Sequence, residues 1–322
     1  MNNKELSIVR SPFQLICLNE YLLKNSNNTK CLIIVNNEKE KDQCLQILKH
    51  LKLLDYSILI AKPFYVQINL LKLLPKKYEK LVIGHYFDNI CVFAARILRY
   101  KKLVVLDDGV STLAINKLNS KTSPYGRINF KQKIFNFFFH SPKNFIFFTI
   151  FFDHLDNNNL CVKSKNNLTF LSDQVLPNFS ENCVYFIGDP VVEEQLISLD
   201  DYLVFLKHLS NKYKLIYFPH RNESEANLLR YRGVGVETRS LNVSFEIYLV
   251  QNNIIPNKLI SFHSTALFTS RLILNKFLDK IKFYYIELDQ KDEKIKKNQH
   301  LIYIQDFFKT NGFEKITFHD KK

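Results

Sequence analysis

The sequence predicts an α/β fold with two doubly wound, Rossmann-like domains. Short apolar runs alternate with amphipathic stretches from the start of the chain, and a second such series begins at Val184. Near-continuous apolar strands that alternate with helices are typical of parallel βαβ units covered on both faces. The 322 residues suffice for two such domains, and one large domain is the alternative. We expect the domains to span residues 1–178 and 179–322, and we leave open whether the last helix packs back on the first domain.

The predicted first domain opens with a strand at 6–10 that leads directly into a helix. Ser11 and Pro12 stand where a helix prefers a capping hydroxyl and a proline, and apolar residues follow at helical spacing. The polar residues around Cys161 predict a loop. Further strands are predicted at 31–35, 57–60, 80–84 and 102–106, with helices at 39–54, 66–74 and 89–100.

The predicted second domain repeats this alternation. Pro177, Asn178 and Ser180 interrupt the apolar pattern and mark the expected boundary. Strands are predicted after them at 184–187, 214–218, 235–238, 258–262 and 280–285, with helices at 192–211, 245–251 and 266–274.

The chain carries 45 basic and 31 acidic side chains, and its formal net charge of +14 favours an anionic partner. Nothing matches a zinc finger or a single-strand-binding sheet, so nucleic acid is not expected as a partner. Residues 127–143 interleave basic side chains with phenylalanines at 130, 135, 137, 138 and 139. This pattern is typical either of peripheral contact with an anionic membrane or of a core helix with basic ends.

The pattern at the start of the chain and the lengths of the apolar runs predict where the protein acts. No run reaches the length of a membrane span, and the first residues lack a signal-peptide pattern. We therefore expect a cytoplasmic protein, either free or peripheral on the inner face of the cytoplasmic membrane. The six cysteines lack metal-binding spacing and are expected to be buried free thiols. A homodimer is an open option.

Charged residues follow two of the predicted strands. Asp107, Asp108 and Gly109 come after one apolar strand, and Pro219 ends another and is followed by His220. In open α/β sheets the ligand crevice lies outside the carboxyl ends of the strands. Neighbouring, partly desolvated carboxylates can reach the pKa range of a general base. The structural alternatives are an aspartate that caps the next helix and a histidine that only bonds a nearby loop.

Two further groups lie at predicted helix starts. Ser264 and Thr265 precede the helix at 266–274, where hydroxyls and unpaired backbone N–H groups can bind a phosphate. Glu246, just inside another helix start, could bind a ribose diol. Each of these residues could instead simply cap its helix.

Taken together, these motifs resemble those of the bacterial sialyltransferases of GT-B type. That group has an acidic pair before glycine, a His-Pro motif and a Ser-Ser or Ser-Thr motif. The corresponding residues here are Asp107-Asp108-Gly109, Pro219-His220-Arg221 and Ser264-Thr265.

Within that group the chain is most similar to glycosyltransferase family 52, the lipooligosaccharide sialyltransferases. The similarity is carried by Ser11-Pro12-Phe13-Gln14, Gly188-Asp189-Pro190 and Ser264-Thr265-Ala266-Leu267. Arg221 stands where the family has a proline after the histidine, and its guanidinium could add positive charge beside a phosphate.

The resemblance implies a GT-B architecture with two domains facing each other across a cleft. It also implies an inverting transfer of sialic acid from CMP-sialic acid, without a metal or a cofactor. Asp107 or Asp108 would accept the proton of the acceptor hydroxyl, with Asp189 as a third candidate, and His220 would donate to the departing phosphate. The donor side would comprise Gly188, Asp189, Pro219, Arg221, Glu246, Ser264 and Thr265. The acceptor side would comprise Ser11, Gln14, Gly109 and His85, although His85 could also be a loop histidine without a role.

The expected partners are therefore a CMP-sugar donor and a glycan or glycolipid acceptor such as lipooligosaccharide. Two related alternatives are a GT-B enzyme that uses another sugar nucleotide, for example a glucosyltransferase, and a capsule polysialyltransferase. A more distant alternative is a non-catalytic binding protein whose working feature is its positive charge.

Overall fold

The structure, a computed structural model, describes residues 5–25, 29–51, 55–61, 63–117, 142–156, 161–176, 178–252, 254–288, 295 and 298–318. The chain divides into two compact units. The first comprises residues 1–170 and 242–244, and the second comprises residues 171–241 and 245–322. The division lies near the expected boundary after residue 178, and the roles expected of the two domains stay predictions.

A parallel sheet forms the centre of the first unit. Its strands are β1 (Glu5–Val9), β2 (Thr29–Val35), β3 (Tyr56–Ile60), β4 (Lys77–Ile83), β5 (Arg99–Val105), β6 (Phe145–Thr149) and β7 (Cys161–Lys165). They lie in the order β3-β2-β1-β4-β5-β6-β7, and all their pairings are parallel. The described helices of this part are α1 (Pro12–Asn25), α2 (Glu38–Leu48), α3 (Pro63–Leu71), α4 (Asn89–Ile97) and α5 (Thr169–Ser172), and Ser111–Lys117 forms a 3-10 helix.

The second unit contains a second parallel sheet. Its strands are β8 (Phe179–Ile187), β9 (Lys214–Phe218), β10 (Glu237–Thr238), β11 (Ile255–Ser261), β12 (Lys282–Glu287) and β13 (Glu314–Thr317). They lie in the order β10-β9-β8-β11-β12-β13, again with parallel pairings. Its described helices are α6 (Leu199–Lys212), α7 (Glu225–Gly233), α8 (Phe245–Asn252), α9 (Thr265–Ile273) and α10 (Gln299–Thr310).

Both sheets reverse their strand order at one point. In the first sheet the reversal lies between β1 and β4, and in the second it lies between β8 and β11. The order is that of the doubly wound dinucleotide-binding fold, in which ligands bind at this topological switch point, beyond the carboxyl ends of the strands. The switch points therefore define where a functional site is expected in each unit.

Two predicted helices have different bounds in the structure. The helix expected at 192–211 begins only at Leu199, because Ser198 caps it by accepting a hydrogen bond from Asp201 N–H (3.1 Å). Gln195 has a φ of 58°, a left-handed conformation that a helix cannot continue through. The helix expected at 89–100 ends at Ile97, because the following residues pair with β4 as part of β5.

Several elements were not predicted. The polar loop expected around Cys161 is strand β7, which tolerates polar residues because β6 is its partner on one side only. Residues 179–182, expected to mark the boundary, belong to β8. Helix α7 and strand β13 were also absent from the prediction, whereas α10 is the last helix, which was expected without bounds. Phe307 and Phe308 of α10 contact Phe268 and Tyr285 within the second unit, and packing of this helix on the first domain stays a prediction.

The state of the cysteines and the possibility of a membrane-spanning segment were also predicted from the sequence. All six cysteines are free thiols, as predicted, and five of them are buried, whereas Cys161 is half-buried. Within the described ranges, no helix combines the length and the apolar character needed to cross a membrane. Of the stretch 127–143, for which membrane contact was one interpretation, residues 127–141 lie outside the described residues.

Candidate functional site

The acidic pair after β5 has one fully buried member. The Asp107 side chain is completely inaccessible, and Thr149 Oγ1 donates to its Oδ1 (2.7 Å) while Ile150 N–H donates to its Oδ2 (2.6 Å). Burial raises the pKa of Asp107 to about 7, although these hydrogen bonds act in the opposite direction. Asp107 therefore links the end of β5 to the end of the neighbouring β6 through these two hydrogen bonds.

Asp108 is the accessible member of the pair, with 31% of its side chain exposed. Gln14 Nε2 donates to its Oδ1 (2.7 Å), and Ser11 Oγ donates to the same oxygen (3.3 Å). His85 Nε2 lies 3.7 Å from its Oδ2. The structure thus brings Ser11, Gln14 and His85, which lie beyond β1 and β4 at the switch point, into contact with Asp108.

The Gln14 amide is fixed on both sides. Arg10 N–H donates to Gln14 Oε1 (2.8 Å), which directs the Gln14 NH2 group to the Asp108 carboxylate. Gly84 makes room for this arrangement, since a Cβ at that position would lie only 1.8 Å from Gln14 Oε1. The glycine at the end of β4 is therefore a structural requirement for the contact between Gln14 and Asp108.

Gly109 forms the turn that follows the acidic pair. Its φ is 72°, which an L side chain adopts only with strain. Ser111 Oγ donates to the Asp108 carbonyl (2.7 Å), and Asp108 N–H donates to Thr112 Oγ1 (3.2 Å). Gly109 thus turns the backbone tightly enough for these bonds to fix Asp108.

Asp189 lies at the switch point of the second sheet. It is buried, and its Oδ2 accepts from Ser261 Oγ (2.8 Å), Phe262 N–H (3.2 Å) and His263 N–H (3.1 Å). Its Oδ1 lies 3.8 Å from His263 Nε2. Asp189 therefore connects the end of β8 to the end of β11 and brings a histidine beside its own carboxylate.

His220 lies beyond β9, after the half-buried Pro219. Burial lowers its pKa below the usual 6.5, and Arg221 and His263 lower it further, while Asp189 acts in the opposite direction. Asn222 N–H donates to His220 Nδ1 (3.2 Å), so the neutral ring carries its proton on Nε2. Arg221 is exposed. His220 follows β9, Asp189 follows β8 and His263 follows β11. Because β8 lies between β9 and β11, the three residues follow adjacent strands.

The hydroxyl pair begins α9. Ser264 is its N-cap, with its Oγ accepting from Ala266 N–H (3.3 Å), and Thr265 is the first helical residue. Both are half-buried, and the helix start directly follows the β11 end of the switch point. The capping role is thus observed, and a phosphate-binding role stays a prediction.

Glu246 is buried in α8. Thr269 Oγ1 of α9 donates to its Oε1 (2.7 Å), so this carboxylate joins two helices of the second unit. Binding of a ribose diol by Glu246 stays a prediction.

Gly188 provides space next to His220. A Cβ there would lie 2.4 Å from Glu223 Oε2 and 2.7 Å from the Tyr217 hydroxyl oxygen. Burial raises the pKa of Glu223 to about 8. Gly188 therefore leaves room for the buried polar groups of Glu223 and Tyr217, whose contact was not predicted from the sequence.

Several of these residues were not predicted from the sequence, although some of them have a visible signal there. Gly84 ends a predicted strand directly before His85, and Glu223 follows His220 at the spacing of a turn. Ser261 and Thr149 are polar residues inside apolar runs, which is how a buried hydrogen-bonding partner appears in a sequence. His263 gave no signal of its own, because only the pairing of β11 with β8 brings it to Asp189.

Among the residues that the structure describes, no group of three or more His, Cys, Asp or Glu side chains is arranged to bind a metal ion. Independence from metal ions stays a prediction about the reaction.

Solved structures share this fold. A UDP-N-acetylglucosamine 2-epimerase from Rickettsia bellii is 16% identical over 89% of this chain and 80% of its own, with a TM-score of 0.55. S. aureus MnaA, solved with UDP, is 8% identical over 95% of this chain and 88% of its own, with a TM-score of 0.52. A glycosyltransferase from Rickettsia africae is 11% identical over 97% of this chain and 89% of its own, with a TM-score of 0.50.

These similarities establish the fold. The prediction of a GT-B fold with two Rossmann-like domains is confirmed by the two parallel sheets and by the shared fold. No protein-family model and no curated protein matches the sequence. The resemblance to glycosyltransferase family 52 is therefore not confirmed.

Proposed function

We propose that this protein is an inverting glycosyltransferase that transfers sialic acid from CMP-sialic acid to a hydroxyl of lipooligosaccharide or another surface glycan. The observation that supports it best is the position of the predicted residues in the fold. Ser11, Gln14 and His85 surround Asp108 in the first unit. Ser264 and Asp189 lie at the switch point of the second unit, one strand from His220.

Asp108 is the general base in this proposal. Asp107 is enclosed, and each of its oxygens already accepts a hydrogen bond, so an acceptor hydroxyl cannot reach it. Three donors surround one oxygen of the buried Asp189. Asp108 keeps an accessible carboxylate, and the hydrogen bonds from Gln14 and Ser11 fix the orientation that a base needs.

His220 and Ser264 act on the leaving group. The neutral His220 ring carries its proton on Nε2 and can donate a hydrogen bond through it to the CMP phosphate. The Ser264 hydroxyl and the first N–H groups of α9 stabilise a negative charge at the helix start. Arg221, next in sequence to His220, adds positive charge.

The reaction is a single displacement. The bond between the acceptor oxygen and the anomeric carbon forms as the bond between that carbon and the CMP phosphate oxygen breaks. The acceptor proton passes to Asp108, and the electron pair of the broken bond leaves with CMP. One displacement at the anomeric carbon inverts its configuration.

A second candidate function is epimerisation of UDP-N-acetylglucosamine. It is favoured by the fold shared with the Rickettsia bellii epimerase at a TM-score of 0.55. Transfer from another nucleotide sugar is the nearer alternative, because Arg221 stands where the resembled family has proline.

A donor panel separates these functions. The protein would be incubated separately with CMP-sialic acid, UDP-glucose and UDP-N-acetylglucosamine, and nucleotide release and the 2-epimer of the sugar would be measured. We expect CMP release that persists in excess EDTA and falls at least about a hundredfold in His220→Ala. Release of UDP alone, or formation of the 2-epimer, would replace the proposed donor or reaction.

A further inference from the structure

Glu223 forms hydrogen bonds with both the backbone N–H and the backbone carbonyl of His220. His220 N–H donates to Glu223 Oε2 (2.6 Å), and Glu223 N–H donates to the His220 carbonyl (3.0 Å). The second bond closes a tight turn over residues 220–223, and the first anchors the beginning of that turn through a side chain. The bond from His220 N–H to the Glu223 side chain is the one that a glutamate forms three residues after a helix-capping residue.

The ring of His220 is fixed by the same turn. Asn222 N–H donates to Nδ1 (3.2 Å) from inside the turn. A backbone N–H can reach Nδ1 only while the turn keeps its shape. Nε2 is then the ring atom that remains available to a ligand.

The Glu223 carboxyl group is itself fixed by two buried tyrosines. The Tyr217 hydroxyl donates to its Oε1 (2.6 Å) and lies 2.9 Å from the Tyr202 hydroxyl, and both tyrosines are fully buried. Gly188 leaves the space that the carboxyl group and the Tyr217 hydroxyl occupy. The hydrogen-bond network thus joins α6 and β9 to the turn after β9, in space that Gly188 leaves free.

We propose that Glu223 is the positioning residue for His220, fixing its turn so that Nε2 is the atom presented to the leaving phosphate of the donor. In this inference Gly188 acts through Glu223, by leaving room for its carboxyl group, and not by contact with the donor. The identity of the ligand rests on the proposed function, whereas the control of the ring does not.

The protonation state of Glu223 allows a sharp choice of variants. Burial raises the pKa of Glu223 to about 8, so most molecules carry the neutral acid at pH 7. Glutamine has the same shape and is also neutral. Its carbonyl oxygen can accept from His220 N–H. Its NH2 group can donate to the Tyr217 hydroxyl, because the Tyr217 proton can turn to the Tyr202 hydroxyl 2.9 Å away. Glu223→Gln should therefore keep the turn, and Glu223→Ala should release it.

Two measurements on the full chain test this inference. Nitrogen NMR of the imidazoles reports the tautomer of His220, whose signals are identified by their loss in His220→Ala. Steady-state CMP release reports kcat and KM. The exposed Glu225, two residues further on, forms an ion pair with Arg232 and provides the matched control Glu225→Ala.

In the wild type, Glu223→Gln and Glu225→Ala we expect the His220 proton on Nε2 and a kcat within about threefold of one another. In Glu223→Ala we expect a mixture of tautomers and a kcat lower by about tenfold to a hundredfold, the range that small misplacements of a catalytic group produce. KM for the donor should change less than kcat, because the phosphate contacts proposed at α9 do not involve Glu223.

Failures of the two proposals are distinguishable. If Glu223→Ala keeps the Nε2 tautomer and the wild-type kcat, or if Glu223→Gln is as impaired as Glu223→Ala, the inference about Glu223 is wrong. If Glu223→Ala does not fold, Tyr217→Phe replaces it in the test, because that variant removes the hydrogen bond that anchors Glu223. Tyr217→Phe should then have a mixture of His220 tautomers and a lower kcat than wild type and Glu223→Gln, and equal values in all three would contradict the inference. If the tautomers behave as expected but the wild type releases no CMP, the proposed donor is wrong and the positioning role stands.

Discussion

Asp107 and Asp108 are adjacent in sequence but have opposite environments. Asp107 points into the sheet, where Thr149 and Ile150 occupy its oxygens, and Asp108 points to the switch point, where Gln14 and Ser11 orient it. Alternation of side chains along an extended backbone produces this difference. One residue of the pair is therefore structural, and the other is available for chemistry.

Asp108→Asn should lower kcat by about a hundredfold or more with little change in stability, because it removes a general base from an accessible position. Asp107→Asn should lower the free energy of unfolding by about 1–3 kcal/mol, because an amide oxygen that accepts from Ile150 N–H leaves the NH2 group facing the Thr149 hydroxyl, whose proton then loses its acceptor. Its kcat per folded molecule should stay within about tenfold of the wild type. The measurements are CMP release and urea unfolding. A stable Asp107→Asn variant without activity would make Asp107 the base.

At the scale of elements, glycines at strand ends allow side chains from neighbouring strands to meet. Gly84 ends β4 next to β1 and leaves room for the Gln14 side chain, and Gly188 ends β8 next to β9 and leaves room for Glu223. Both act by the absence of a Cβ atom. The glycines commonly sought in such folds let the backbone approach a ligand, but these two let protein groups approach each other.

Gly84→Ala should therefore lower kcat by about tenfold or more, because the new methyl group would displace Gln14 and leave Asp108 without its main hydrogen bond. Gly233→Ala is the matched control, since no atom lies within 4 Å of a Cβ at Gly233. That variant should keep wild-type activity and stability or gain slightly, as alanine does in helices. CMP release and thermal unfolding of both variants provide the test. Equal activity of Gly84→Ala and wild type would contradict the role of Gln14.

At the scale of the whole molecule, the first six strands of the first sheet and the six strands of the second have the same order, and each sheet has a buried acid near its switch point. Burial raises the pKa of Asp107 to about 7 and that of Glu223 to about 8. Between the ordinary pKa of each group and its folded value, the folded protein binds more protons than the unfolded chain. These acids therefore stabilise the fold at low pH, and their contribution is lost as the pH rises through about 7 to 8.

We expect the free energy of unfolding of the wild type to fall more between about pH 5 and pH 8 than that of Glu223→Gln, which has no acid to ionise. The change in net charge of this basic chain with pH affects both proteins equally, so their difference isolates Glu223. Urea unfolding at both pH values measures it. An equal or smaller loss in the wild type would show that Glu223 ionises normally in the folded protein.

The positions of most strands were predictable, because periodicity and breakers are local properties. The residues at the ends of β5, β9 and β11 were identified for the same reason: polar and charged side chains directly follow apolar runs. Their environment was not predictable. The sequence offered Asp107 and Asp108 without a choice between them and Asp189 as a third candidate, and burial separates them only once the neighbouring strands are in place.

The sequence by itself determined the alternation of strands and helices, the two-domain GT-B fold and the strand ends that carry charged groups. The tertiary structure decided which of those ends are neighbours. Strand order brings Gln14 and His85 to Asp108, and it brings His263 to Asp189, across sequence separations of 94, 23 and 74 residues. It also decided that Glu223 fixes His220. Such contacts depend on packing between distant segments, which no local pattern of residues encodes.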